Sequence, residues 1–345
     1  MSIPSMFNPS NDMALAAHVR QYLPPKRIQQ MEADLSALAR AWEGTPFAGP
    51  WGWSLATKQR YRQMGVPEQQ LPSDEWLMEV RRLSSREFAC GYVKRLLAEL
   101  KAPRLLGEEM RWVDRQSLSG DALGASQSTT SWSTDRPRRG RFTDHDVVDF
   151  EEMEASHPRI FKSPWSSSGR GVFVSDTLDQ PTQKRLQGFL SSQGGFVVER
   201  FYEDKVLDFA MEFFIHPDHT VRFLGYSVFT TGEHGAYGYN HVESQEHLLR
   251  RIDADAALLR RLIDYHKTHL SAIAYHGPVG IDMLKTADGS IHPCLEINLR
   301  LNMGILALLL FERYGDHATV ALTPQRPHGF QARIDDGKLH ILYHP

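Results

Sequence analysis

The chain has 345 residues, which is long enough for two or three domains with sizeable hydrophobic cores. Its formal net charge of −3 gives no indication of a dedicated nucleic-acid or membrane surface, so neither partner is expected. Two cysteines make a poor disulfide framework and no signal-peptide pattern opens the chain, so we expect a reducing, cytoplasmic compartment.

Residues 1–113 are predicted to form an N-terminal lobe that is α/β or mostly helical. Apolar residues recur at helical spacing from Ile28 to Trp42 and again from Phe88 to Leu100. Signals for strands are poor in this part of the chain. Residues 114–141 are rich in serine, glycine and threonine and then become basic, which predicts a mobile surface insertion. The alternative is a segment that grips an acidic substrate or partner.

A small-residue loop joins two predicted strands within residues 159–174. Lys162 ends the first strand, and Val172 to Val174 form its return. The residues between them that let a backbone approach an anion closely are Ser166, Ser167, Ser168, Gly169 and Gly171. The pattern is neither a Walker A loop nor a Rossmann fingerprint. It predicts a phosphate site in which Lys162 adds positive charge, with a flexible turn as the alternative.

Further elements follow in chain order. A helix is predicted over 182–192, and an apolar strand over 196–202 carries Glu199. Alternation predicts strands over 206–215 and 221–230, the first of which carries Asp208. Glycines and tyrosines over 231–240 indicate either a mobile lid or a plain connecting loop. A long amphipathic helix is predicted over 252–273.

Polar residues share one face of a predicted strand near the C-terminus. Glu296, Asn298 and Arg300 alternate with apolar residues, and side chains of a strand point to opposite faces with period two. A carboxylate, an amide oxygen and a guanidinium side by side suit magnesium bound to a phosphate chain. The alternative is an edge hairpin with a solvated polar face.

The turn before this strand determines whether a second acidic residue lies on the same face as Glu296. Asp288-Gly289 predicts a hairpin whose first strand carries Asp282. A two-residue loop would send Asp282 to the face opposite Glu296. A three-residue loop, or an equivalent bulge, would place Asp282 directly across from Glu296, and this is the arrangement that we predict.

The order of these motifs over residues 143–312 resembles the ATP-grasp superfamily. That family includes D-alanine–D-alanine ligases, glutathione synthetases and biotin carboxylases, and it normally opens with a Rossmann-like lobe. The resemblance implies an α/β (α+β) fold with mixed or antiparallel sheets. A pre-ATP-grasp lobe would cover 1–113, and the nucleotide-binding region would cover 142–345. The latter would divide into a small lobe of about 142–200 and a large lobe of about 201–345.

Carried over position by position, the resemblance implies a nucleotide site. Lys162 would contact the phosphates and take part in catalysis. The loop that would fold over the phosphates comprises Ser167, Ser168, Gly169 and Gly171. Glu199 would stand at the hinge beside the adenine, and Asp208 would meet the ribose hydroxyls. Arg86 would replace a lysine that the family usually has, unless it is a solvated residue on its helix.

The same resemblance implies the metal ligands and the reaction. Asp282, Glu296 and Asn298 would bind Mg²⁺, with Mn²⁺ as an alternative, and Arg300 would stabilise negative charge in the transition state. The expected activity is that of an ADP-forming ligase. ATP would activate a carboxylate as an acyl phosphate for attack by an amine.

Amino acids and peptides are candidate substrates for this ligase, and a homo-oligomer is left open. The alternatives are kinase-like phosphoryl transfer on the same fold and a non-catalytic nucleotide-binding protein. The early segment 7–15 contains Asn11 and Asp12, either of which could cap a helix, and the alternative is that the segment contacts the substrate.

Overall fold

The computed structural model of the chain describes residues 3–114, 158–166, 171–232, 237–315, 318–324, 331–335 and 338–343. Together these residues form a helical N-terminal region, a four-stranded sheet and an eight-stranded sheet. The α/β fold class with mixed and antiparallel sheets, which the resemblance implies, is confirmed. The predicted insertion at 114–141 lies, apart from Asp114, outside the described residues.

The N-terminal region is helical. Its helices are α1 (Asn11–Ala17), α2 (Lys26–Asp34), α3 (Leu55–Gln63), α4 (Asp74–Leu83) and α5 (Arg86–Leu100), with short 3₁₀ helices at Ser36–Ala41 and Glu68–Gln70. Residues 3–110 contain isolated bridges but no strand, so the mostly helical alternative is correct and a Rossmann-like sheet is not observed there. The single helix predicted from Ile28 to Trp42 is wrong, because α2 gives way to a 3₁₀ helix after Leu35.

The small sheet is antiparallel throughout. Its strands are β1 (Arg111–Asp114), β2 (Arg159–Lys162), β3 (Val172–Ser175) and β4 (Gly195–Arg200), in the order β1-β4-β2-β3. Helix α6 (Gln180–Gln193) packs against this sheet. The side chain of Asp179 caps the N-terminus of the helix, and Gly194 ends it in a left-handed conformation. Ile160 faces Glu199 across the β2–β4 pair, which makes Lys162 a diagonal neighbour of Glu199 on the same face.

The large sheet carries most of the core. Its strands are β5 (Lys205–Ile215), β6 (Val221–Thr231), β7 (Tyr237–Val242), β8 (Gly277–Thr286), β9 (Ile291–Asn298), β10 (Ala318–Pro324), β11 (Gln331–Asp335) and β12 (Lys338–Tyr343). Their order is β11-β12-β10-β7-β6-β5-β8-β9, and β10 runs parallel to β12. The helices of this part are α7 (Gln245–Ile252), α8 (Ala256–Leu270) and α9 (Met303–Tyr314). None of the helices in the described residues is long and apolar enough to cross a membrane.

Alternation along β5 gives the large sheet one apolar face and one polar face. Phe209, Met211 and Phe213 are fully buried in the main hydrophobic core, which also contains residues of α7 and α8. Asp208 and Glu212 stand at the alternate positions and line a cavity on the other side. The sheet therefore presents its polar residues on a rigid surface that is held from behind by a packed core.

The predicted helix over 252–273 is shorter than expected: it is α8, from Ala256 to Leu270, and Ile252 is the last residue of α7. α7 ends at Ile252, where Asp253 adopts a left-handed conformation with φ of 42°. The side chain of Asp255 then caps α8 by accepting a hydrogen bond from the N–H of Ala257 at 2.8 Å. Aspartates tolerate both roles, because their short side chains bond to nearby backbone groups, and this local chemistry overrides the apolar periodicity.

We expect Leu262→Ala to destabilise the protein by about 2–5 kcal/mol, because Leu262 is fully buried in the core behind the large sheet. Urea denaturation of the ligand-free protein measures the change. Leu249→Ala on α7 is the matched control, since Leu249 is 41% exposed, and it should change the free energy of unfolding by less than about 0.5 kcal/mol. Equal effects of the two substitutions would contradict this assignment of the core.

Candidate active site

A cavity of about 1000 Å³ lies between the N-terminal helices, the small sheet and the large sheet. The small sheet contributes Lys162 and Glu199 to its wall, and the large sheet contributes Asp208, Asp282 and Glu296. The cavity wall also includes Arg86, Asn298 and Arg300. All of the predicted site residues that fall within the described chain, except Gly171, therefore line one cavity.

The register of β8 against β9 places Asp282 directly across from Glu296, as predicted. The turn itself is formed by residues 287–289, since the N–H of Thr286 donates to the carbonyl of Ser290 at 3.0 Å. Further along, Leu284 faces His292. One residue of β8 then lies against three residues of β9 before the Asp282–Glu296 pair. This bulge places the two acids directly opposite each other, because the turn alone would pair Asp282 with Cys294 and leave Glu296 as a diagonal neighbour on the same face.

Carboxyl groups crowd this face of the sheet. Burial, followed by the nearby charges of Glu296 and Glu212, raises the pKa of Asp282 to about 8. The amide of Asn298 donates to Asp282 Oδ2 at 3.1 Å. A divalent cation would relieve this crowding, and two carboxylates with an amide are oxygen ligands of the kind that Mg²⁺ prefers. The solvated hairpin face considered as the alternative is not observed.

The protein would not enclose such a cation alone. Within the described residues, no group of three or more His, Cys, Asp or Glu residues is arranged to hold a metal ion. A cation at Asp282 and Glu296 would thus depend on Asn298 and on oxygen atoms of the ligand or of water. Magnesium commonly binds in this way, through one or two carboxylates together with phosphate groups.

Arg86 is buried, and its positive charge partly compensates the carboxylate of Glu296. Its side chain is at the start of α5 and donates from Nη2 to Glu296 Oε2 at 2.8 Å. Its Nη1 donates to the carbonyl of Ser163 and to Oγ of Ser166, each at 2.7 Å. Because Arg86 is only 5% exposed, the interpretation as a solvated helix residue is wrong. Its role as a phosphate ligand remains a prediction.

Lys162 and Glu199 form a buried ion pair, and Glu199 also faces His292 Nε2 at 3.2 Å. Glu199 is 2% exposed. Burial acts to raise its pKa, but Lys162 and His292 together outweigh burial and lower the pKa to about 2. Glu199 therefore stays ionised. A phosphate that approaches Lys162 would have to share this lysine with Glu199.

The structure also describes Asp208 and Gly171, two further residues that were predicted to contact the nucleotide. Asp208 accepts hydrogen bonds from Lys205 at 2.7 Å and from Thr231 at 2.6 Å, at the edge of the cavity. Gly171 has φ of 73°, and a Cβ there would lie 2.3 Å from Ser163 Oγ, so the position requires glycine. The remaining loop residues of the prediction, Ser167, Ser168 and Gly169, lie outside the described residues.

The side chain of Arg300 is held by Asp12, a residue of the N-terminal region. Its Nε and Nη2 donate to both oxygens of Asp12 at 2.8–3.2 Å, and Nη2 also donates to Asn298 Oδ1 at 2.8 Å. Asp12 lies in the first turn of α1, 288 residues away in sequence. Asp12 is not the N-cap of α1, which is Ser10, but fixes the guanidinium of Arg300 through a bidentate contact. Because Asp12 also lines the cavity, the substrate contact stays a prediction.

Sequence reasoning missed Glu212. It lies on β5, is 1% exposed, and accepts hydrogen bonds from Ser227 and Asn302 at 2.8 Å each. A Cβ at Gly304 would lie 2.0 Å from Glu212 Oε1, so glycine makes room for the carboxyl. The signal that would have found it is the spacing to Asp208, four residues earlier on the same face of the strand.

No protein-family model and no curated protein matches the chain. Solved structures do match. Biotin carboxylase from Campylobacter jejuni is 13% identical with a TM-score of 0.49, covering 90% of this chain and 68% of that one. L-amino acid ligase from Bacillus licheniformis is 12% identical with a TM-score of 0.43, covering 83% of this chain and 59% of that one.

Pyruvate carboxylase from Rhizobium etli is 16% identical with a TM-score of 0.38. The match covers 45% of this chain and 13% of the carboxylase, so the chain spans much less than two thirds of that protein. All three TM-scores are below 0.5, and these likenesses therefore carry no argument about activity. The functional argument rests on the residues that meet in the cavity.

The pH dependence of stability tests the burial of Glu212. Burial raises its pKa from 4.5 to about 7, so its stabilising contribution is complete below pH 4.5 and is lost as the pH rises through 7. Glu212→Gln resembles the protonated form at every pH. Between pH 5 and pH 8.5, in EDTA, the wild type should therefore lose about 2–3 kcal/mol more stability than Glu212→Gln.

Urea denaturation at the two pH values measures this difference. Glu246→Gln is the control, because the side chain of Glu246 is 78% exposed, and its stability should follow the wild-type pH dependence. If Glu212→Gln also follows the wild type, Glu212 is not held in its protonated form and the electrostatic description of the site is wrong.

Proposed function

We propose that the chain is an ATP-dependent, ADP-forming ligase of the ATP-grasp type, which joins a carboxylate to an amine. The observation that carries this proposal is the meeting of Lys162, the Asp282–Glu296 pair, the buried Arg86 and the partly buried Arg300 in one cavity. These groups come from four separate parts of the chain. Phosphoryl transfer needs carboxylates that bind a cation and cationic side chains that bind phosphates.

The end of the cavity next to Glu199 suits a nucleotide. Apolar side chains of both sheets line it, among them Ile160, Val172 and Leu284. A flat base between the two sheets would be sandwiched by these side chains, as is usual for pockets that bind aromatic ligands. Asp208 lines the same cavity and offers a carboxylate for ribose hydroxyls.

Bound Mg²⁺ would neutralise the charge of the phosphates and of the carboxylates Asp282 and Glu296. The protein's own residues would position the phosphates and the reacting groups. Lys162 and Arg86 would hold the phosphate oxygens, and Arg300, fixed by Asp12, would face the charge that develops during transfer. Arg86 would exchange its contact with Glu296 for one with a phosphate oxygen.

The proposed reaction has two steps. A substrate carboxylate oxygen attacks the γ-phosphorus of ATP, the bond to the bridging oxygen breaks, and ADP leaves with an acyl phosphate remaining. An amine then attacks the acyl carbon, the carbon–oxygen bond to phosphate breaks, and inorganic phosphate leaves. The amine loses one proton, and the product is an amide.

We expect the purified protein to release ADP and inorganic phosphate from magnesium-ATP only when a carboxylate and an amine are both present. A library of carboxylates and amines, assayed for both products, tests this. Release of ADP with a stable phosphorylated product would indicate kinase-like transfer instead. Tight ATP binding without release of ADP under any condition would contradict an enzymatic function.

Glu296→Ala should reduce magnesium-dependent ADP release to background, because it removes one of the two carboxylates that would hold the cation. Glu246→Ala removes an exposed carboxylate of α7 and should leave the rate unchanged. Circular dichroism and ATP binding in EDTA verify that both variants are folded. Full activity of Glu296→Ala would overturn the metal assignment.

Arg300→Lys should lower kcat by about 10²- to 10³-fold while the KM for ATP changes much less, because a point charge cannot reproduce a bidentate fork held by Asp12. Arg260→Lys, on the exposed surface of α8, is the matched control. A change confined to KM for ATP would place Arg300 in nucleotide binding and not in stabilisation of the transition state.

A further inference from the structure

We propose that the end of the cavity walled by α1, α2 and the start of α9 binds an amino acid or short peptide with an apolar side chain as the amine substrate. In this subsite, Arg27 binds the carboxylate of the substrate. The inference rests on the proposed function and names the chemical class of one of its substrates. Nothing in the sequence motifs pointed to Arg27, which belongs to none of them.

The charges of the cavity single out Arg27. Six cationic side chains of the described residues line the cavity, and four of them are bound by carboxylates: Arg86 by Glu296, Lys162 by Glu199, Lys205 by Asp208 and Arg300 by Asp12. Arg200 directly follows Glu199 and lies over the ring of Tyr202, 5.7 Å from its centroid. Arg27 has no hydrogen bond or ion pair with any residue that the structure describes.

An unpaired guanidinium is useful for binding only if its position is fixed. Arg27 lies in the first turn of α2, and the same helix carries Glu32, which is 5% exposed. Glu32 accepts hydrogen bonds from the N–H of Ser10 at 3.2 Å and from Arg60 at 3.0 Å. Helix α2 is thereby tied to the start of α1 and to α3, and it presents Arg27 from a rigid element.

The wall beside Arg27 is apolar. Ile28 and Met31 of α2 line the cavity together with Phe7, Trp51 and Met303. Phe7 and Trp51 pack edge to face with ring centroids 5.1 Å apart, and Met31 and Met303 pack against the same hydrophobic cluster. Such a surface favours an apolar side chain next to the carboxylate that Arg27 would hold.

An acidic side chain, Glu212, lies next to this apolar wall. Asn302 and Gly304 flank Met303 in sequence and both contact or approach Glu212, whose carboxyl lines the cavity. A substrate whose carboxylate lies on Arg27 would lay its side chain along the apolar wall and turn its amino group toward the interior of the cavity, which Glu212 and the metal ligands also line. An amino acid matches this arrangement of cation, apolar wall and acid. A simple amine lacks the group that Arg27 would bind.

Binding of L-leucine and of isoamylamine, which is leucine without its carboxylate, tests the subsite. Calorimetry in the presence of magnesium-ADP requires no turnover. The wild type should bind L-leucine at least tenfold more tightly than isoamylamine, the size expected for a hydrogen bond between charged groups. Arg27→Ala should lose this preference, and Arg27→Lys should keep part of it.

Lys26→Ala is the matched control, because Lys26 is an exposed cation that directly precedes Arg27 on α2 and does not line the cavity. It should keep the wild-type preference for L-leucine. A wild type that binds neither ligand, or an Arg27→Ala variant that retains the preference, overturns the inference.

Release of ADP from magnesium-ATP separates this inference from the proposed function. If ADP release needs a carboxylate and an amine but leucine binding ignores Arg27, the ligase stands and the subsite fails. If leucine binding depends on Arg27 but no carboxylate and amine together cause ADP release, the subsite stands and the ligase fails.

Discussion

Compensation of buried negative charge is the constraint on which the site depends. Asp282, Glu296 and Glu212 share one face of a sheet whose other face is a packed core, so they cannot move apart without unpacking it. A buried carboxylate is costly unless a cation or hydrogen bonds compensate it. In the ligand-free protein, Arg86 provides part of this compensation through Glu296. A divalent cation at Asp282 and Glu296, as proposed, would compensate the remaining charge.

The buried ion pairs also connect parts of the chain that are far apart in sequence. Arg86 joins the helical region to β9, and Arg300 joins the end of β9 to Asp12 on α1. Arg86 also donates to the carbonyl of Ser163, which precedes the proposed phosphate loop. A magnesium–triphosphate ligand would offer new partners to several of these groups at once. Binding of such a ligand would thereby be coupled to the arrangement of the three regions through the same side chains.

The sequence predicted those parts of the site that local patterns specify. Alternation along β9 and the Asp-Gly turn were enough to place Asp282 and Glu296 on one face, but their direct pairing also depends on a bulge in β9. The contact between Asp12 and Arg300 was not predictable, because nothing local relates residues 288 positions apart. Glu212 was missed because one acid in a phenylalanine-rich strand gives no motif. The start of α8 was predicted four residues too early because apolar periodicity continues across Asp253.

Calorimetric titration of a non-hydrolysable ATP analogue, with magnesium and then with EDTA, tests the central claim most directly. The claim is that a cation shared by Asp282 and Glu296 holds the triphosphate. We predict one binding site per chain, with affinity that falls by at least about tenfold in EDTA, since the phosphates would then face uncompensated carboxylates. Absence of binding, or affinity that is equal with and without magnesium, would contradict the account.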